Sequence, residues 1–293
     1  MKPLVKWAGG KSRILSQLEA NLPANFNELN DITYVEPFVG GGAMLFHLLN
    51  RYPNITSAYI NDINSELVNS YKATKENPQE LFFHIKAFVN EYLKFDTQVW
   101  RETQYYAFRS LFNSRKIDGL ERTALFLFLN RTCFNGLYRV NKKGEFNVPH
   151  GKYKRPLFLS LDAILRVSET LQKVNIFSMD FQGIINQIHN YENLFVYIDP
   201  PYRPISKEKN IFTQYDSSGF GDIDQERVKA LCDEIHGHNG HFMVSNSDSY
   251  TETGSYFEQL FNEYQLKRID VTRLINTYNA KDLKATEIII TNY

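Results

Sequence analysis

Apolar positions fall along the chain in two regimes. Toward both ends, short strand-like runs alternate with stretches of helical spacing. The runs occupy 33–36, 58–60, 174–181, 193–198, 241–246, 266–272 and 286–291, and at 193–198 and 241–246 the apolar, β-branched and aromatic content predicts buried strands. Helical periodicity lies between them at 12–21, 43–49, 161–171, 183–189 and 224–236. Strand and helix in alternation predict an α/β fold with a doubly wound sheet, its last two strands forming a hairpin at the edge.

Between 66 and 129 the strands stop. Leu81, Phe82, Ile85, Phe88, Val89 and Tyr92, then Tyr105, Phe108, Leu111 and Phe112, then Leu125, Phe126 and Leu129 recur at helical spacing. We read a helical insertion whose rings form a core rather than platforms for stacked bases. After it, 138–140 and 145–148 flank Asn141-Lys142-Lys143-Gly144, the pattern of a β-hairpin with a glycine turn.

Three turns carry candidate chemistry. Lys6-Trp7-Ala8-Gly9-Gly10-Lys11-Ser12 ends like a P-loop, but that motif needs glycine where Val5 stands. It reads either as a plain turn before a helix or as a ligand loop in which Trp7 offers a face and Lys11 a cation for a carboxylate. Glu36-Pro37-Phe38-Val39-Gly40-Gly41-Gly42 joins a strand to a helix, as in a nucleotide-binding βαβ unit, without the spacing of a nicotinamide fingerprint. Asp62 ends the second strand, where a doubly wound fold holds ribose hydroxyls; the alternative is a helix N-cap, for which Asn64 competes. The third turn is the most constrained. A buried strand stops at Asp199-Pro200-Pro201-Tyr202, where two prolines remove backbone donors and stiffen the chain. A carboxylate, a proline carbonyl and an aromatic ring are thereby held at the carboxyl end of a strand, where open α/β sheets bind ligands. Asp180-Phe181, at another strand end, offers an adenine ring a packing face and an acceptor for its amino group. The polar stretch 203–222, with Ser206, Gly219 and Gly221, is expected to be a mobile loop over this site.

Composition changes the picture little. Formal net charge is +0, so any basic surface must be local. Locally it is strong: 139–155 holds six Lys or Arg and one Glu, and 109–131 holds five against two acids. Long cations on a projecting hairpin suit a DNA groove, and a bidentate arginine there can read guanine; a solvated basic loop is the plainer alternative. Cys133 and Cys232 make no disulfide framework, which fits a reduced cytosolic setting. No signal-peptide core or membrane-spanning run is present in the sequence. His236, His238 and His241 cluster without a zinc spacing, and a surface turn is expected there.

Taken in order, KWAGGK at 6–11, EPFVGGG at 36–42, NDIN at 61–64, NRTCFNGLYRVNKKGEFNVPHGKYKRP at 130–156 and DPPY at 199–202 resemble the Dam-type (D12 class) DNA adenine-N6 methyltransferases. The resemblance spans most of the chain and is carried by the ordered set, since each motif alone is weak. It implies a Rossmann-like methyltransferase sheet (1–65 and 158–293) binding S-adenosyl-methionine, and an inserted helical DNA-recognition domain with a β-hairpin (66–157). It implies cofactor contacts by Trp7, Gly9, Gly10, Lys11, Glu36, Phe38, Gly40, Gly42, Asp62, Asp180, Phe181 and Asp199. Asp199, Pro200 and Tyr202 would hold the target adenine for direct in-line methyl transfer, with no metal, after the base is flipped out. Lys6, Asn135, Leu137, Arg139, Asn141 and Pro149 would recognise DNA, Arg139 and Lys6 each at a guanine. The set favours GATC over longer sites that begin with GAT. The resemblance further implies a monomer in the cytoplasm of a prokaryote or encoded by a phage, with double-stranded DNA as partner and a cognate restriction endonuclease as a second one. RNA or protein-amide methylation and a silent DNA-binding regulator are the alternatives. Residues 274–285 depart from the family pattern, and no site residue is expected there.

Overall fold

The computed structural model describes residues 3–203, 219–273 and 283–293. The expected loop over the site and the divergent stretch at 274–285 therefore lie for the most part outside the described residues, at 204–218 and 274–282. In chain order, helix α1 spans Leu15–Glu19, β1 Ile32–Glu36, α2 Ala43–Arg51, β2 Ile55–Asn61, α3 Ser65–Glu76, α4 Pro78–Tyr92, α5 Gln98–Ser114, α6 Gly119–Thr132 and α7 Leu161–Leu171. Then come β3 at Val174–Phe177, β4 Leu194–Ile198, α8 Asp222–Gly237, β5 His241–Ser247, β6 Tyr250–Thr251, β7 Gly254–Ser255, α9 Tyr256–Leu260, β8 Gln265–Arg273 and β9 Leu283–Thr291. The chain divides into two compact units, one of residues 1–10, 40–51 and 62–178, the other of 11–39, 52–61 and 179–293.

The second unit holds six strands in the order β2-β1-β4-β5-β9-β8. The first four run parallel, and β9 and β8 are antiparallel. Strands β1 and β4 are buried at every position, as unbroken apolar runs require in a parallel sheet. From β1 the chain proceeds to β2 on one side, while β4 lies on the other; this reversal opens a crevice at the carboxyl ends of β1 and β4. The terminal hairpin forms as expected, with β8 outermost among these strands. Three elements outside the helical insertion differ from expectation. The helix expected at 12–21 is one short turn, Leu15–Glu19, because Ile14 at its N-cap has no side-chain acceptor. The strand expected to reach Phe181 ends at Phe177. The Asp180 carboxylate accepts from Gln182 N (3.1 Å) and starts a 3-10 helix, Phe181–Gln187, in place of the helix expected at 183–189.

The first unit is largely helical. Asn64, Thr97 and Ser160 cap α3, α5 and α7, accepting from the backbone N–H groups of Leu67, Trp100 and Ala163. Leu125 to Leu129 of α6 are all buried, so this helix is central rather than amphipathic. Phe128 packs against Phe88, Tyr92, Phe108 and Phe158, which makes these rings core, as expected. The basic hairpin departs from expectation: its arms are not regular strands. One bridge, Val140 to Phe146, joins them, with Asn147 N donating to Arg139 O and Asn141 N to Glu145 O. Side chains take over the ladder. Asn113 bonds both N and O of Phe146, and Asn141 Oδ1 accepts from Lys143 N and Glu145 N. Among the described residues no helix is long and apolar enough to cross a membrane.

Candidate active site

In the second unit the site grows from the end of β4. The strand is apolar and buried up to Ile198, and the next residue is Asp199, whose side chain is 19% exposed. Its Oδ1 lies 2.9 Å from Lys11 Nζ and accepts from Ser245 Oγ at 2.9 Å. Ser245 Oγ is also 3.0 Å from the Tyr197 hydroxyl. Burial pushes the Asp199 carboxyl above its ordinary value; Lys11 and Ser245 pull it back, while the Glu287 charge pushes it further up. The cation that the sequence offers to a carboxylate thus meets one supplied by the chain itself. Lys11 Nζ also stands 4.2 Å from the centre of the Tyr202 ring, and the Tyr202 hydroxyl donates to Glu287 Oε2 at 2.8 Å.

The backbone beyond Asp199 is clamped by residues that sequence reasoning missed. Gln225 Nε2 donates to Pro201 O (3.1 Å), Arg203 N to Asn246 Oδ1 (3.2 Å) and Ser247 Oγ to Arg203 O (2.5 Å). The available signal was the polar tail Ser245-Asn246-Ser247 on an otherwise apolar strand. All three side chains are at most 2% exposed, and buried polar groups demand partners.

Glu36, at the end of β1, is 2% exposed and accepts from the Tyr34 hydroxyl. Phe38 packs on Phe181 with ring centres 4.8 Å apart. The Arg227 guanidinium lies 4.7 Å from the centre of the Phe181 ring and pairs with Asp180 Oδ2 at 2.6 Å. An amino group approaching Asp180 must therefore share it with Arg227. Asn61 ties the two loops together: Nδ2 donates to Pro37 O and Met179 O, and Oδ1 accepts from Met179 N.

In the first unit, Asp62 joins the glycine turn to the start of α3. Its Oδ2 accepts from Gly40 N (3.1 Å) and its Oδ1 from Asn64 N (2.9 Å). Asn64 is the N-cap of α3, so that competing role for Asp62 falls away. Burial pushes the Asp62 carboxyl up to about 6, against the pull of the two N–H donors. Gly40 and Gly42 have φ of 49° and 73°. A Cβ on Gly40 would stand 3.1 Å from Trp7 Cδ1, and one on Gly42 2.7 Å from the Tyr71 hydroxyl. Gly9 and Gly10 are exposed.

The same unit brings Lys6 and Trp7 to the hairpin. Asn130 accepts from Lys6 N and donates to Lys6 O, both at 2.8 Å, and donates also to Gly136 O. Trp7 stacks on Tyr138 at 5.6 Å. Arg139 is exposed, with its Nε donating to Asn147 Oδ1 at 2.7 Å. Asn135 is exposed at φ 54°, Leu137 and Asn141 are half-buried, and Pro149 is exposed, its carbonyl accepting from Phe134 N. The three histidines disperse: His238 stacks on Tyr191, His236 meets Asn292, and His241 meets the edge of Tyr293.

A model of the D12 class N6 adenine-specific DNA methyltransferases matches residues 7–275. Type II methyltransferase M.MjaIII of Methanocaldococcus jannaschii is 40% identical over 296 residues, covering 100% of this chain and 99% of its own. Type II methyltransferase M1.LlaDCHI of Lactococcus lactis subsp. cremoris is 36% identical, covering 100% and 96%. The DNA adenine methylase of Haemophilus influenzae is 31% identical, covering 98% and 92%.

Proposed function

The chain belongs to the D12 class of N6 adenine-specific DNA methyltransferases, and from that premise we propose how its residues divide the work and which DNA they read. The methyl donor of the class is S-adenosyl-methionine, whose sulfonium supplies an electrophilic methyl group. The residues present fit it. The Gly40–Gly42 turn leaves no room for side chains, and we assign Asp62 and Glu36 as acceptors for the hydroxyl and ammonium groups of this ligand. We assign Trp7, Gly9, Gly10, Lys11, Phe38, Asp180 and Phe181 to the same ligand.

The observation that carries the reading is the pairing of Asp199 with Lys11 beside Pro200. The adenine amino nitrogen is a poor nucleophile, because its lone pair is delocalised into the ring. A carboxylate and a proline carbonyl, each accepting one amino hydrogen, would favour a pyramidal nitrogen with its lone pair turned toward the methyl group. Lys11 favours the ionised form of Asp199 against the effect of burial, and Tyr202 stacks on the base. Paired inside a duplex, the amino group is out of reach, so the base is flipped. Residues 66–157 form the recognition part, and 1–65 with 158–293 the catalytic part. Lys6, Asn135, Leu137, Arg139, Asn141 and Pro149 read the site, GATC. The enzyme acts as a monomer, and the type II relatives support a cognate restriction endonuclease as partner.

The test is methylation of duplexes bearing GATC or a one-base variant, with single-stranded RNA as competitor and sequencing of the methylated adenines. Transfer confined to GATC is the expected result. Transfer at a longer GAT-containing site would move the target while keeping the chemistry, and preference for RNA would overturn the reading.

A further inference from the structure

Strand β5 is apolar through Val244 and polar from Ser245 to Ser247, yet these three side chains are nearly inaccessible. Burying them is unfavourable unless every donor and acceptor finds a partner. Their partners are in the segment 199–203, with Gln225 and Tyr197 completing the set. Register explains why. Strands β4 and β5 pair in parallel with Tyr197 opposite Met243 and Ile198 opposite Val244, so the next step brings Ser245 level with Asp199.

The hydroxyl of Ser245 has one proton, and it goes to Asp199 Oδ1. Its lone pair must then face the Tyr197 hydroxyl, which donates to it across 3.0 Å. Tyr197 is 2% exposed, and burial together with the Asp199 charge holds its hydroxyl well above the ordinary value, so it keeps the proton it donates. The order is Tyr197 to Ser245 to Asp199. Oδ1 therefore accepts from Ser245 and lies 2.9 Å from Lys11 Nζ. Lys11 is a point charge on a flexible stem and supplies charge; Ser245, on a short side chain fixed by a buried strand, supplies direction.

We propose that Ser245 is a positioning residue that fixes Asp199 through Oδ1, with Tyr197 as its donor, and so holds the carboxylate in the orientation that accepts the amino hydrogen of the substrate base. This rests on the reading of Asp199 given above. Besides Ser245, the charged and titratable groups facing Asp199 are Lys11 from the turn before α1, Tyr34 and Glu36 from β1, Tyr197 from β4, Tyr202 after it and Glu287 from β9. All of these residues are retained when Ser245 is replaced.

The experiment compares wild type with Ser245→Ala, Ser245→Thr and Tyr197→Phe. The Asp199 carboxyl carbon is titrated by 13C NMR in DNA-free protein and assigned by its loss in Asp199→Asn. Ser245→Ala should raise the apparent pKa of Asp199 by about one unit, the size of a hydrogen bond to a charged group. The acid limb of kcat should move up equally, kcat should fall roughly tenfold or more, and KM for S-adenosyl-methionine should stay in place. Ser245→Thr, which keeps the hydroxyl on a strand that accepts β-branching, should restore the titration. Tyr197→Phe should shift it in the same direction by less. An unmoved Asp199 titration in folded Ser245→Ala overturns the proposal. If that variant does not fold, an unmoved titration in Tyr197→Phe does so. A shifted titration in a protein that methylates no DNA would leave the Ser245–Asp199 link standing and overturn the function assigned to Asp199 instead.

Discussion

Lys11 and Asp199 form an ion pair of 2.9 Å with side chains only 8% and 19% exposed. Such a pair adds little over an apolar substitute, but removing one partner strands the other. Lys11→Met should therefore cost about 1–3 kcal/mol, less than for a fully buried pair because Asp199 can take up a proton. The sign with pH follows from the carboxyl. Its folded value is already raised, so its stabilising contribution is complete below the ordinary carboxylate range and is lost as pH rises through the folded value. Without Lys11 that value rises further, and the stability gap between variant and wild type should widen from pH 5 to pH 8. Urea unfolding at the two pH values measures it; a gap that narrows toward pH 8 would contradict the assigned pairing.

Gly42 and Gly9 separate backbone conformation from crowding. Both have positive φ, 73° and 76°. A methyl at Gly9 would meet nothing within 4 Å, whereas at Gly42 it would meet the Tyr71 hydroxyl at 2.7 Å and Phe46 at 3.1 Å. Gly9→Ala should cost about 1 kcal/mol, the backbone penalty alone. Gly42→Ala should cost about 2–4 kcal/mol, because overpacking adds to it. Thermal unfolding of the two variants, run side by side, checks the difference; equal losses would mean that Tyr71 and Phe46 move aside freely.

These two sites also show what was legible in the sequence. Helix α7 was readable to the residue, since Ser160 caps it and its apolar positions are periodic. The end of β4 was readable because prolines stop strands. Partnerships set by the fold were not. Lys11 could be recognised as a cation awaiting a carboxylate, but nothing local says that the carboxylate is Asp199, 188 positions on. The arms of the basic hairpin read as strands because side-chain alternation does not reveal that Asn113 and Asn141 occupy the backbone groups a ladder needs. Ser245 was hidden for a similar reason: its polarity is visible, but its partner is set by the register of β4 against β5.

Arg139 is held by Asn147, whose Oδ1 accepts from Nε at 2.7 Å. If Arg139 reads a guanine bidentately, Arg139→Ala should reduce discrimination at one base pair by about 1–3 kcal/mol. Asn147→Ala keeps the cation but frees its orientation. It should lose part of the same discrimination at the same base pair while retaining the salt dependence of binding. Competition among one-base variants of the target at two salt concentrations distinguishes these outcomes. A loss spread evenly over all base pairs would make Arg139 a phosphate contact.

Asp62 gives the clearest pH signature. Its carboxyl is carried from 3.8 to about 6 by burial, with Asn64 N and Gly40 N opposing. In the protein alone, the raised value means that the contribution to stability is complete below 3.8 and is lost as pH rises through about 6. Ligand binding should have the opposite slope. If Asp62 accepts hydroxyl protons from S-adenosyl-methionine, only the carboxylate can accept them at both oxygens, and protonation removes an acceptor. Affinity for S-adenosyl-methionine should weaken as pH falls below about 6, and stability without ligand should not weaken with it. Calorimetric titration between pH 5 and 8, with unfolding curves at the same pH values, measures both slopes. Affinity that stays flat through this range would remove Asp62 from the cofactor site and leave it as the buried tie between Gly40 and Asn64.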